Sequence, residues 1–389
     1  MKVAITLFVF CIAALLALGM VMLYSASMTQ VGPRYLMMQL IWCGLGLVSC
    51  LTMASIDYAV LKKFAWPLLI LAVILLVLVF VPHIGVSELQ GGKHIGVKGA
   101  KRWISLELLG ARSVRFQSSE LAKLAMIIFM AWYCDRFQRQ MRDWKRGIVI
   151  PAVILLPVLL LIFIEPDRGA TILMCAVISV MLLIAGVRWQ YFFVPLVLGV
   201  AALGFSILRD PMRMKRIFAW LYLEEHKNDV GYQAYQAMLA LGSGGATGLG
   251  LGDSRQKLGF IPEHHTDFIL SIIGEELGLI TLVVVFAFIV IVFAGAWISL
   301  RARDNFGVML GCGITFLIGF QAFINIGVVT STLPNKGLPL PFISYGGSNL
   351  LLMLTCTGIL LSIARHAREI VVSPDASLSG DNPFAPRTT

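Results

Sequence analysis

Charge is scarce in this chain. Of 389 residues only 13% are Asp, Glu, Lys or Arg, well under the quarter usual for a soluble domain, which excludes an ordinary water-soluble globule. Cysteine is missing from the two long polar segments, 83–117 and 209–266. Cys11, Cys43, Cys50, Cys134, Cys175, Cys312 and Cys356 lie in apolar runs or short connections, so no disulfide framework is implied and they read as small packing residues. The glycines at 242, 244, 245, 248, 250 and 252 are not followed by Gly-Lys-Ser/Thr, so a phosphate-binding loop of that kind is excluded. They suit a flexible or re-entrant segment near the headgroups. No internal repeat suggests a transporter built from duplicated halves.

What is present is apolar sequence in long runs: 58% hydrophobic residues and a mean hydropathy of +0.86. Each run must cross lipid as a helix that satisfies its own backbone. The expected fold is an all-α polytopic membrane protein with ten transmembrane helices, at about 3–25, 36–54, 64–82, 118–134, 147–165, 168–187, 190–208, 267–300, 305–329 and 348–365. The first run is read as an uncleaved span rather than a signal peptide. The eighth is too long for one straight crossing, so it tilts or extends outside the hydrocarbon. Residues 1–368 form one membrane domain, and 369–389 read as a disordered cytoplasmic tail.

The short connections on one side carry thirteen Lys or Arg, between Lys2 and Arg368, against Arg34, Arg168 and Lys336 on the other. By the positive-inside rule both termini are cytoplasmic. The long loops 83–117 and 209–266 then face outward, with six and seven Lys or Arg. Long loops escape the rule; their charge serves either solvation or attraction of an anionic substrate at the outer surface.

The stretch Gly231 to Gly278 is the densest in candidate chemistry. It starts polar and glycine-rich, passes Glu263, His264, His265 and Asp267, and runs into the eighth span. A carboxylate at the mouth of a membrane helix stays wet enough to titrate. Glu263, His264, His265 and Asp267 could alternatively hold a metal. If the helix began at Asp267, Glu275 and Glu276 would lie roughly 12–14 Å deeper. Glu275 would be about 80° around from Asp267 and Glu276 on the opposite side, pairing with another helix.

Other intramembrane or boundary charges are candidates by default. Glu120 and Lys123 are three apart, hence helix neighbours; they are a structural tie or a place for a phosphate beside Lys123. Glu165-Pro166-Asp167-Arg168-Gly169 packs three charges into one turn. Lys101-Arg102-Trp103 suits an interfacial anchor or a pyrophosphate grip. Residues 333–349, with three prolines and three glycines, make irregular backbone that must be buried in protein or wall a wet cavity.

The motifs GAKRWI, SSELAKL, EPDRGA, RIFAWL, GYQAYQA, QKLGFIPEHHTDFILSIIGEELG and GLPLPFISYGGSN stand in this order. With them the chain resembles the SEDS family (shape, elongation, division, sporulation), which includes FtsW, RodA and SpoVE, over about residues 5–368. The resemblance implies a peptidoglycan glycosyltransferase of the bacterial cytoplasmic membrane that polymerises lipid II at the outer face. Its implied partners are a class B penicillin-binding protein acting as transpeptidase, and divisome or elongasome proteins; no nucleic acid is expected. Asp267 matches the family's essential aspartate, with the implied role of general base on the GlcNAc 4-hydroxyl while undecaprenyl pyrophosphate leaves. Arg102, Lys123, Arg216 and Lys257 are the candidates for the pyrophosphates; Glu120 and Asp167 match positions around the cavity, and Lys336 and Ser344 are further substrate-binding candidates. A divalent cation, Mg or Mn, is implied by the family alone. The chain departs from the family's common Pro at Ser118, and from its common Asn-Pro at Tyr222-Leu223. Asn335-Lys336-Gly337 resembles division-type members more than elongation-type ones, which implies a place at the septum. The alternatives are an elongation-type polymerase, a lipid II flippase, and a scaffold that recruits the transpeptidase.

Overall fold

The computed structural model describes the chain except residues 28–31, 82–84, 88, 91–92, 95–100, 106–114, 166, 263, 336 and 368–389. The expected tail, 369–389, therefore lies outside the described residues.

Every expected span falls on helix: α1 Lys2–Ser27, α2 Arg34–Ser55, α3 Leu61–Phe80, α4 Ser118–Arg136, α5 Ile150–Ile164, α6 Arg168–Ile184, α7 Phe193–Leu208, α10 Ile269–Leu277 with α11 Ile280–Leu300, α12 Asn305–Val329 and α13 Gly347–Arg365. Two more helices, α8 Pro211–Leu221 and α9 Tyr232–Gly244, lie in the second long loop. Among the described residues eight helical stretches, Ile269–Leu300 taken as one, are long and apolar enough to cross a membrane. α6 is apolar but shorter, and α4 carries Glu120 and Lys123, for a reason its surroundings supply. It is walled by α3, α6 and α12 and buried on nearly every face, so its polar residues meet protein rather than lipid. α13 is likewise central, with 83% of its apolar window buried, whereas α7 has none and stands at the rim.

Among its described residues the first long loop is not helical. It holds short strands β1 Gly85–Ser87, β2 Leu89–Gln90, β3 Lys93–His94, β4 Lys101–Ser105 and β5 Arg115–Gln117. β4 pairs antiparallel with both β1 and β5, and β5 runs straight into α4, which sets the backbone of residues 101–105 beside that helix's N-terminal end.

The eighth span is broken rather than tilted. Gly278 takes φ +60°, a conformation that favours glycine, and separates α10 from α11. The glycine-rich segment after α9 packs into this break: Leu249 N–H donates to Glu275 O (2.9 Å), Gly250 N–H to Glu276 O (3.1 Å) and Leu279 N–H to Ala246 O (3.2 Å). This is the re-entrant alternative, and it lies a full α10 length beyond Asp267.

At the opposite end of the bundle, Lys62 bridges Asp135 (2.9 Å) and Asp304 (3.1 Å), and Arg303 pairs with Asp57 (2.7 Å). Tyr58 O–H donates to Asp304 (2.8 Å) and its ring meets His366. The α2–α3 and α11–α12 turns and the ends of α4 and α13 thus share one face, as alternating crossings require.

Candidate active site

Asp267 lies in a turn two residues before α10 begins, half-buried. The helical angles expected between it and Glu275 or Glu276 therefore do not apply. Its position is set by α12 and by the proline-rich segment before α13. Asn325 Nδ2 donates to the Asp267 carbonyl and to the Leu338 carbonyl, both at 2.8 Å. One turn earlier, Gln321 Nε2 donates to Pro339 O (2.8 Å) and Asn349 Oδ1 (2.9 Å). Gly337 lies against the Asp267 carboxylate, and a Cβ there would collide with Oδ2. The irregular backbone of 333–349 does wall the neighbourhood of Asp267, as its composition requires.

Ser344 is buried, and its hydroxyl is committed: it donates to Thr266 O (2.6 Å) and accepts from Leu340 N–H (2.8 Å). Ser344 thus ties the Asp267 turn to the proline-rich segment. Tyr345 N–H adds a bond to His265 O at 3.0 Å.

His265 stacks on Tyr35, with ring centroids 4.7 Å apart. Burial, and then the neighbouring His264, push its pKa down to about 4, so the ring is neutral at ordinary pH. Both nitrogens of His264 face carbonyls, Nδ1 at 2.7 Å from Ile261 O and Nε2 at 3.1 Å from Ala26 O, which leaves neither for a metal. Among the described residues no three His, Cys, Asp or Glu side chains converge; Glu263 lies outside them. The His-rich metal site is thus not formed by His264. A cation carried by a pyrophosphate needs only one or two protein carboxylates, and half-exposed Asp267 suits that.

A second cluster gathers at the N-terminal end of α4. Glu120 and Lys123 form a closed, buried pair, with Nζ 2.8 Å from Oε1 and 2.7 Å from Oε2. Of the two alternatives for this pair, the structure contains the tie. Asp167 caps α6 by accepting from Ala170 N–H (3.1 Å), and also accepts from Gln117 Nε2 (3.2 Å) and Ser119 Oγ (3.3 Å). Ser118, where the resembling family commonly has proline, donates to Glu165 at 3.3 Å, a bond proline could not make. Gln117 N–H donates to Ser348 Oγ (3.1 Å) at the start of α13, and Leu338 packs on Gly169. The proline-rich segment therefore touches Asp267 at Gly337 and the Asp167 turn through Leu338.

Lys257 lies elsewhere. It is buried and paired with Glu276 at 2.9 Å, with Ser25 Oγ 3.1 Å from its Nζ. Its ammonium is held at the glycine-rich segment, where it also donates to Gly252 O. Arg216 lines a shallow groove between α8, α9 and residues 331–335, and it stands within electrostatic reach of Arg168 together with Arg213 and Asp210. Arg102 is on β4, but its side chain, like the whole of Lys336, lies outside what is described.

Sequence reasoning passed over Asn325, Gln321 and Gly337. The signal for the first two was two amides one helical turn apart within an apolar run, where a polar group must find a partner.

The fold and this site define a polytopic membrane protein with a half-buried carboxylate at one end of its helical bundle. The model of the FtsW/RodA/SpoVE family, described as cell cycle proteins, matches residues 5–369. Relatives include Probable peptidoglycan glycosyltransferase FtsW of Geobacter metallireducens, 41% identical over 91% of this chain and 93% of its own. Stage V sporulation protein E of Bacillus subtilis is 36% identical over 91% of this chain and 95% of its own. The crystal structure of RodA from Thermus thermophilus superposes with a TM-score of 0.68 at 26% identity, covering 93% of this chain and 97% of that one. A chain from a peptidoglycan synthase complex that coordinates polymerization and crosslinking superposes with a TM-score of 0.74 at 25% identity, over 92% and 96%. The chain belongs to the FtsW/RodA/SpoVE family.

Proposed function

We propose that the chain is a peptidoglycan glycosyltransferase that polymerises lipid II at the outer face of the bacterial cytoplasmic membrane, with Asp267 as general base. The observation that carries this is the seating of Asp267. It is the partly exposed carboxylate among the predicted acidic residues described, whereas Glu120, Glu165 and Asp167 are buried. Family membership and the names of its relatives support the reaction.

Asp267 takes the proton from the GlcNAc 4-hydroxyl of the acceptor as that oxygen bonds to the anomeric carbon of the donor. The bond from that carbon to the lipid pyrophosphate breaks, and the pyrophosphate leaves with the electron pair. A divalent cation, Mg or Mn, held by the pyrophosphate and touching the chain at Asp267, would supply neutralisation of the leaving charge. Arg216, Lys336 and Arg102 lie in or beside outward loops and supply the positive field that draws the diphosphate.

Both termini are cytoplasmic by charge asymmetry. A class B penicillin-binding protein is the partner, in keeping with the synthase complex that the fold matches. The FtsW relatives, together with Asn335-Lys336-Gly337, favour septal wall synthesis over elongation. The flippase alternative needs polar groups free at depth. Glu275 instead accepts from Ser254 Oγ, Arg255 N–H and Gln256 N–H, and Glu276 from Ser25 and Lys257. Purified chain with its transpeptidase and lipid II tests the reading: glycan from wild type supports it. Lipid II translocation without polymerisation would replace it with the flippase.

A further inference from the structure

We infer that Asn325 and Gly337 are positioning residues for the Asp267 carboxylate, acting as one device that holds the Asp267 turn against the proline-rich segment. The inference rests on the assignment of Asp267 as base.

One side-chain amide spends both of its hydrogens on two backbone carbonyls from different parts of the chain, Asp267 O and Leu338 O, each at 2.8 Å. The amide is buried, and its Oδ1 has no hydrogen-bond partner, so the donors alone fix its orientation. Asn325 sits near the outer end of α12, which is packed on α4, α6, α11 and α13, and so transmits the position of the bundle core to a turn that is not itself helical. Gly337, the residue before Leu338, then lies against the Asp267 carboxylate. Its backbone is in a conformation that other residues adopt, so alanine at 337 would add a methyl against Oδ2 and little else. Asn325 thus fixes the main chain at Asp267 and Gly337 fixes the space beside its carboxylate.

A base whose chemistry requires alignment with an acceptor hydroxyl is sensitive to such seating, because a displacement of about 1 Å can cost about 100-fold in rate. Removing the Asn325 donors should therefore act on the chemical step and leave lipid II binding intact.

The test uses the full-length chain purified with its transpeptidase, lipid II as substrate, and Asp267→Asn as the reference. Asn325→Leu is expected to lower kcat by about 100-fold with KM for lipid II within about twofold, and Asn325→Gln, which keeps both donors on a longer arm, to recover part of the loss. Gly337→Ala is expected to lower kcat with KM for lipid II within about twofold of wild type. Thermal unfolding of each variant separates seating from folding, and Gly337→Ala leaves the Asn325 bonds in place if the Asn325 variants fold poorly. Wild-type kcat in Asn325→Leu or in Gly337→Ala, while Asp267→Asn is inactive, overturns the device and leaves the base assignment standing. Wild-type polymerisation by Asp267→Asn overturns both.

Discussion

Lys257 and Glu276 form an ion pair 2.9 Å long with both side chains out of solvent, joining the re-entrant segment to the end of α10. Ser25 at the end of α1 donates to the same carboxylate at 2.7 and 2.8 Å. Three parts of the chain are thereby locked beside the break at Gly278.

Breaking one side of this pair strands a buried charge. Glu276→Gln or Lys257→Met should each destabilise the protein by about 3 kcal/mol, the low end for such pairs because an unfolded chain in lipid also finds polar partners. The double variant should be more stable than the sum of the two losses predicts. Thermal unfolding in detergent across the four proteins measures this; additive losses would show that the pair is not coupled.

Asp167 has two separable duties, capping α6 and carrying charge beside α4. Asn caps about as well as Asp, so Asp167→Asn should unfold within about 0.5 kcal/mol of wild type, while Asp167→Ala should lose about 1 kcal/mol. Activity lost in Asp167→Asn at unchanged stability would assign the loss to charge. Equal destabilisation by both variants would contradict the cap.

At the end of the bundle opposite Asp267, burial works against ionisation of Asp304, and bonds from Tyr58, the Gly307 N–H and Lys62 outweigh it, holding its carboxyl below the ordinary 3.8. A carboxyl depressed in the folded state contributes stability above its unfolded pKa and loses it as pH falls through the folded value. The gap in melting temperature between wild type and Asp304→Asn should therefore be full at neutral pH and close on acidification below 3.8. A gap that widens toward acid would reverse the sign and refute the role.

The ten crossings were legible because lipid permits little else: each apolar run reports its helix directly. The α10–α11 break was half legible. Length showed that the run from 267 to 300 was too long, but whether it tilted or broke depended on the segment around Gly248 packing on the Glu275 and Glu276 carbonyls, a contact remote in sequence. Asp267 stood out by its place at a helix mouth and by family resemblance. Lys257 and Ser344 carried the same surface signal as true ligand-binding groups, and their commitment to Glu276 and Thr266 is a tertiary fact. Asn325 and Gly337 gave the faintest signal, since a glycine reveals the space it leaves only once its neighbour is placed.

The most direct test of the central claim is glycan polymerisation from lipid II by the purified chain with its transpeptidase and divalent cation, comparing wild type with Asp267→Asn at equal folding and partner binding. Long glycan strands from wild type and none from Asp267→Asn are the predicted result. Equal polymer from both would contradict the assignment of Asp267 as the base.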